Sequence, residues 1–196
     1  VYEGRLHYRD AMGKLSLPLP RMPGAHQADN AALTIAMLRH QSAIEVPESA
    51  MAAAMEWTRW PARLQRLGAG PLTALLPTDT EVWLDGGHNP GAGAALARHF
   101  NNNGKRIHLV IGMLANKDPR AIIGPLAPQI VSITALPVPG HEHHDADAFG
   151  TDAKEAATLE GALTSLKVDP ASEIVLVAGS LYLAGSVLRA NNQLPD

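Results

Sequence analysis

Short apolar runs alternate with longer stretches in which Ala, Leu, Ile and Val recur every three or four positions, and this alternation begins near residue 57. The runs at 80–85, 106–112, 130–135 and 173–178 predict strands. The periodic stretches at 91–102, 119–127, 152–166 and 180–191 predict helices. Strands this apolar are covered on both faces, and the helices between them supply the crossovers of a mainly parallel sheet, so the expected class is α/β. In 152–166, Asp152 followed by Glu155 reads as a capping box. Ala153, Ala156, Ala157, Leu159, Ala162, Leu163 and Leu166 read as that helix's apolar face.

The first 45 residues have a different pattern. Tyr2–Tyr8 and Lys14–Leu19 flank a turn ending in Gly13 and predict a β-hairpin, with Pro18 and Pro20 limiting the second strand to an edge or an end. Pro23-Gly24 breaks the chain, and apolar positions at helical spacing predict a helix over 27–40. A hairpin and one helix are too little to fold alone, so 1–45 reads as the tail of a preceding domain. Residues 46–56 read as a linker with a short helix from 48, and 57–196 as the main domain. The chain opens on Val1 rather than Met, so a preceding segment is expected. Without it, 1–45 would expose a strand edge and an apolar face, and is expected to self-associate or lack order.

The chain has 196 residues, of which 46% are hydrophobic, enough for a sizeable core, while aromatics at 4% leave that core to aliphatic side chains. A net charge of −3 and the lack of any Lys/Arg run argue against nucleic-acid or membrane-surface partners. The absence of cysteine removes disulfides, thiolate metal sites and thiol catalysis, and a cytoplasmic location is expected. No signal peptide and no apolar run of transmembrane length is found.

The candidate chemistry gathers where strands end. Val82-Trp83-Leu84-Asp85-Gly86-Gly87-His88-Asn89-Pro90 puts a carboxylate and an imidazole at the carboxyl end of a strand, the edge where open α/β sheets bind ligands. Asp85 suits a ribose or a cation-bound water; the alternative is that it caps the helix at 91. Gly179-Ser180 repeats the geometry, with Ser180 either completing an anion site at a helix start or serving as a plain N-cap. Gly112-Met113-Leu114-Ala115-Asn116-Lys117-Asp118 brings a cation to the same edge, while Asp118 before Pro119 is itself a helix start. Arg63, in Trp60-Pro61-Ala62-Arg63-Leu64-Gln65, has the planar fork that fits phosphate, or is a surface residue whose Trp neighbour packs on the sheet. Gln27 and Asn30 carry amides that suit the edge of an adenine, or that cap and solvate. The run His141-Glu142-His143-His144-Asp145 lacks the spacing of a zinc-protease helix and reads as a loop, either solvated or meeting a substrate. No P-loop, dinucleotide fingerprint or nucleophile elbow is present.

Taken in order, Pro23-Gly24-Ala25-His26-Gln27 with Asn30, Trp60 to Gln65, Leu84 to Pro90, Gly112-Met113-Leu114 with Lys117-Asp118, and Gly179-Ser180-Leu181-Tyr182 resemble the carboxyl-terminal half of folylpolyglutamate synthase and its bifunctional dihydrofolate synthase relative, in the Mur-ligase family. The resemblance spans most of the chain. Gly87 stands where the family usually has Ala, and Ala62 where it often has Gly. The resemblance implies a Rossmann-like carboxyl-terminal domain preceded by a hairpin-plus-helix remnant of the central ATP-binding domain. It implies ATP and Mg2+, with the P-loop and metal ligands in domains upstream and no metal ligand in this chain. It implies an ATP-dependent ligase that phosphorylates a folate or dihydropteroate carboxylate and joins it to L-glutamate. Asn30, Gln27, Arg63 and Asp85 would bind ATP; Lys117, Ser180 and His88 would bind glutamate, with His88 the catalytic group between the two. This chain alone is expected to be inactive. Another amino-acid ligase of the Mur type, or a non-catalytic nucleotide- or amino-acid-binding module, are the alternatives.

Overall fold

The computed structural model describes residues 1–101 and 104–194. The chain forms two compact units, Val1–Trp60 and Pro61–Asp196.

In the first unit, β1 (Arg5–Asp10) and β2 (Gly13–Pro18) form an antiparallel hairpin with Asp10 opposite Gly13. Helices α1 (His26–His40) and α2 (Glu48–Trp57) follow. Leu6, Leu17, Ile35, Met51 and Met55 make one small buried cluster. The segment read as a linker thus holds a helix, α2, that contributes two methionines to that core. Asp10 ties the hairpin to the last turn of α1 through Arg39 at 3.1 Å, where a cation also suits the helix dipole.

The second unit begins with β3 (Gln65–Arg66) and β4 (Glu81–Asp85), then α3 (Pro90–Asn101), β5 (Arg106–Ile111), α4 (Arg120–Leu126) and β6 (Ile130–Ala135). β7 (Lys154–Glu155), α5 (Leu159–Ser165), β8 (Glu173–Ala178) and α6 (Leu181–Ala190) complete it. The predicted final residue of the third helix, 102, lies outside the described residues. The strand order is β3-β4-β8-β5-β6-β7, parallel except that β3 runs antiparallel to β4. The mainly parallel sheet with flanking helices is therefore present.

Each strand's alternation sorts its side chains between two cores. Ile107, Leu109, Ile111, Ile174 and Leu176 pack with Leu96 and Phe100 of α3 and Ile122 and Leu126 of α4. Val82, Leu84, Val110, Val175 and Val177 pack with Leu163 of α5 and Leu183, Val187 and Leu188 of α6. β8, buried from Ile174 to Ala178, sits between β4 and β5. The chain crosses from β4 to β5 on one face and returns to the gap from the other, which is the kind of switch point that opens a crevice beyond the carboxyl ends of the strands.

The predicted helix over 152–166 is corrected. Residues 154–155 pair with the edge of β6, Thr134 opposite Lys154 and Ala135 opposite Glu155. The helix starts only at Leu159. Its cap is Thr158, whose Oγ1 accepts the Gly161 N–H at 3.0 Å, so Asp152 and Glu155 form no capping box. The unpaired backbone groups of an edge strand recruit the segment, and that long-range pairing overrides local helix preference. Leu159, Ala162, Leu163 and Leu166 still face the core as a helical stripe.

Candidate functional site

Asp85, Ile111 and Ala178 stand at one level. Asp85 pairs with Ala178 across β4 and β8, and Ile111 pairs with Ala178 across β5 and β8. Everything that follows these three strand ends therefore emerges on one edge: Gly86 to His88, the 112–118 loop with Lys117, and Gly179-Ser180.

The turn after β8 is tight. Gly179 lies at φ +107°, and a Cβ there would meet the Gly112 carbonyl oxygen at 2.7 Å. Glycine is required by both the conformation and the close approach. Ser180 is buried and caps α6, its Oγ accepting the Tyr182 N–H at 3.1 Å. The hydroxyl hydrogen of Ser180 is still a donor for a ligand.

Asp85 is buried at 6% exposure. Its Oδ1 accepts the Gly87 N–H at 2.7 Å, and its Oδ2 accepts the Leu64 N–H at 2.8 Å. It does not cap α3; Asn89 does, accepting the Ala92 N–H at 3.0 Å. Asp85 instead ties the strand end to the segment carrying Arg63. Gly86 donates its N–H to the Ala62 carbonyl at 2.9 Å, and a Cβ on Gly86 would lie 3.1 Å from Arg63 Nη1 and 2.3 Å from Leu181 Cδ2. The Arg63 guanidinium thus lies against a bare backbone turn beside the start of α6. Trp60 is exposed and closes the first unit. His88 is half-buried, and its Nδ1 hydrogen-bonds the Gly86 carbonyl at 3.2 Å. A carbonyl only accepts, so Nδ1 carries the proton and Nε2 of the neutral ring is an acceptor.

The His-rich segment is joined to this edge. His144 Nε2 donates to the Lys117 carbonyl at 2.7 Å, and the His144 N–H donates to the Met113 carbonyl at 3.0 Å. Ala115 donates to the Glu142 carbonyl at 3.1 Å. The His141 ring lies 3.9 Å from the Tyr182 ring. The expected loop is present, and nothing local in the sequence signals its pairing with residues 113–117.

The structure therefore brings Arg63, Asp85, His88, Lys117 and Ser180 to one edge of one sheet. Gln27 and Asn30 belong to the first unit. There Asn30 Nδ2 donates to Gln27 Oε1 at 3.1 Å, and both line a cleft of about 440 Å3 with Met22, Thr34, Met55 and Trp60. Among the described residues no group of three or more His, Asp or Glu is placed to hold a metal ion. No described helix is long and apolar enough to cross a membrane.

This arrangement has solved counterparts. Escherichia coli FolC in complex with ADP superposes with a TM-score of 0.71 and 26% identity, over 96% of this chain and 44% of that one. Among curated proteins, a probable bifunctional folylpolyglutamate synthase/dihydropteroate synthase of Halobacterium salinarum is 29% identical over 93% of this chain and 23% of its own length. The folylpolyglutamate synthase of Lacticaseibacillus casei is 28% identical over 93% of this chain and 42% of its own length. The chain is similar to the carboxyl-terminal half of folylpolyglutamate synthases. It spans less than half the length of these curated relatives. No protein-family model matches it. Ala62, before the arginine, sits at φ +55°, a conformation that favours glycine.

Proposed function

We propose that this chain supplies the carboxyl-terminal share of an ATP-dependent ligase that adds L-glutamate to a folate or dihydropteroate carboxylate. The observation that carries this reading is the gathering of Arg63, Asp85, His88, Lys117 and Ser180 at the carboxyl edge of β4, β8 and β5. Two cations, a helix start and an imidazole suit a triphosphate beside a second anion.

In this reading Arg63 meets the ATP phosphates, its fork matching their oxygens. Asp85 lies towards the ribose. Gln27 and Asn30 present amide groups to the adenine, in a cleft otherwise walled largely by apolar side chains. A carboxylate oxygen of the folate or dihydropteroate attacks the γ-phosphorus, ADP leaves, and an acyl phosphate forms. The glutamate nitrogen then attacks the acyl carbon and phosphate leaves. Lys117, the Ser180 hydroxyl and the N-terminal end of α6 hold the glutamate carboxylates, and His88 Nε2 takes a proton from the attacking amine. A divalent ion, Mg2+ in this reading, would neutralise phosphate charge. In this reading its ligands belong to domains outside this chain. A cytoplasmic location fits a cysteine-free chain acting on soluble small molecules.

The test is glutamate transfer. The protein expressed with the sequence that precedes Val1 in its gene is expected to form labelled glutamyl product from ATP, glutamate and a folate or dihydropteroate. The 196-residue chain alone is expected to turn over no ATP. Turnover by the chain alone overturns the half-site reading, and product only with a non-folate acceptor overturns the folate assignment in favour of another amino-acid ligase.

A further inference from the structure

Arg63 stands between two residues that hold rare backbone conformations. Ala62 lies at φ +55° and Leu64 at φ +44°, and both are buried, at 2% and 3% exposure. Neither is Gly, Asn or Asp, the residues that tolerate this region. Such a pair persists only where its surroundings over-determine it.

Three hydrogen bonds do so. The Ala62 N–H donates to Gln65 Oε1 at 2.8 Å. The Ala62 carbonyl accepts the Gly86 N–H at 2.9 Å. The Leu64 N–H donates to Asp85 Oδ2 at 2.8 Å. Gln65 is itself fixed, because its backbone pairs with Leu84 in the β3–β4 ladder. The guanidinium completes the turn by donating from Nη1 to the Ala62 carbonyl at 3.2 Å.

We propose that Gln65 and Asp85 are positioning residues for Arg63: their oxygens accept the two strained N–H groups on either side of it and hold its guanidinium over Gly86. Gln65 has no part in the ligand contacts set out above. Asp85 acquires a second task, carried by its backbone contacts rather than by any contact with a sugar. The proposal rests on the reading of Arg63 as a phosphate ligand.

Gln65→Glu keeps an acceptor oxygen at the same reach, and Gln65→Met keeps the length but removes the acceptor. In the 196-residue chain, Gln65→Met is expected to speed amide exchange at Ala62 at least tenfold and to raise the mobility of Arg63 Nε in 15N relaxation. Gln65→Glu is expected to leave both as in the parent chain. Unchanged exchange and unchanged Arg63 mobility in Gln65→Met overturn the proposal, as does equal loosening by Glu and Met. Should Gln65→Met not fold, the comparison moves to Ala62→Gly with and without Gln65→Met, since glycine removes the strain at residue 62. Greater Arg63 mobility in the double variant supports the proposal, and equal mobility overturns it. A separate titration with ADP tests the underlying reading. If Arg63→Ala leaves ADP binding unaltered, the phosphate assignment fails while the exchange and relaxation results still decide the positioning role.

Discussion

His144 donates its Nε2–H to the carbonyl oxygen of Lys117 at 2.7 Å. A histidine from a loop rich in them therefore fastens the backbone of Lys117 at the candidate site edge. His144→Phe keeps a ring but leaves that carbonyl without its donor, whereas His144→Gln offers an amide N–H of similar reach. One net hydrogen bond is worth about 1 kcal/mol. Urea unfolding should show a loss of about that size for the Phe variant and less than half of it for Gln. Equal losses in the two variants would mean that ring packing against Phe149, 6.1 Å away, is what matters.

Helices α3 and α4 touch through Gly93. A Cβ there would lie 1.9 Å from the Ala121 carbonyl oxygen, so Gly93→Ala must push the helices apart. Overpacking of this kind costs about 1–3 kcal/mol, and the gain of about 1 kcal/mol from alanine's helix preference does not offset a backbone collision. The expected result is a lower urea midpoint with an unchanged slope. A variant as stable as the parent would show that α3 slides freely on α4.

Much of this geometry was legible in advance because it is local. The unbroken apolar run of β8 and the stop of β4 at Asp85 both come from neighbouring residues, and both place the edge where the chemistry gathers. The pairing of Lys154 with Thr134 is not local: a two-residue edge strand has too few positions to show a period of two. The cap of α5 is not local either: Thr158 serves rather than Asp152, because the pairing of 154–155 with β6 delays the helix start. The strained turn at Arg63 carries no Gly or Asn to mark it. Ala62 at φ +55° carries a backbone cost of about 1–3 kcal/mol that its residue type does not announce.

Gly87, in the turn after β4, has a partner in space. A Cβ on Gly87 would lie 2.5 Å from the Ala92 Cβ and 2.7 Å from Asp85 Oδ1. Gly87→Ala is expected to destabilise by roughly 1–3 kcal/mol. Adding Ala92→Gly removes the first collision but not the second, so the double variant should recover part of the loss despite glycine's helix penalty of about 1 kcal/mol. A double-mutant cycle measures the coupling. Strictly additive losses would show that Gly87 and Ala92 do not constrain each other and that the Asp85 contact alone sets the cost.

Glu173 gives the fold an acid limit at the opposite edge of the sheet. The Asp169 backbone N–H, and after it the His108 ring, hold its carboxyl below the usual glutamate range, against a smaller opposing effect of burial. His108 Nε2 meets Glu173 Oε2 at 2.9 Å while His108 Nδ1 meets Ser132 Oγ at 2.8 Å. In the unfolded chain the same carboxyl titrates at about 4.3. Between that value and the lower folded one, the unfolded state binds more protons, so stability rises with pH across the window. The contribution is complete above the unfolded value and drains away as pH falls through the folded one. Glu173→Gln removes the titration, so its stability should fall less steeply than the parent's as pH is lowered from about 6 to 3. Above that window the variant should be the less stable of the two. Glu81 and Asp169, also held below their ordinary values, keep some acid sensitivity in both proteins, so the difference in slope is the decisive quantity. Parallel curves would show that Glu173 is solvated alike in the folded and unfolded chains, and that the His108 contact is incidental to stability.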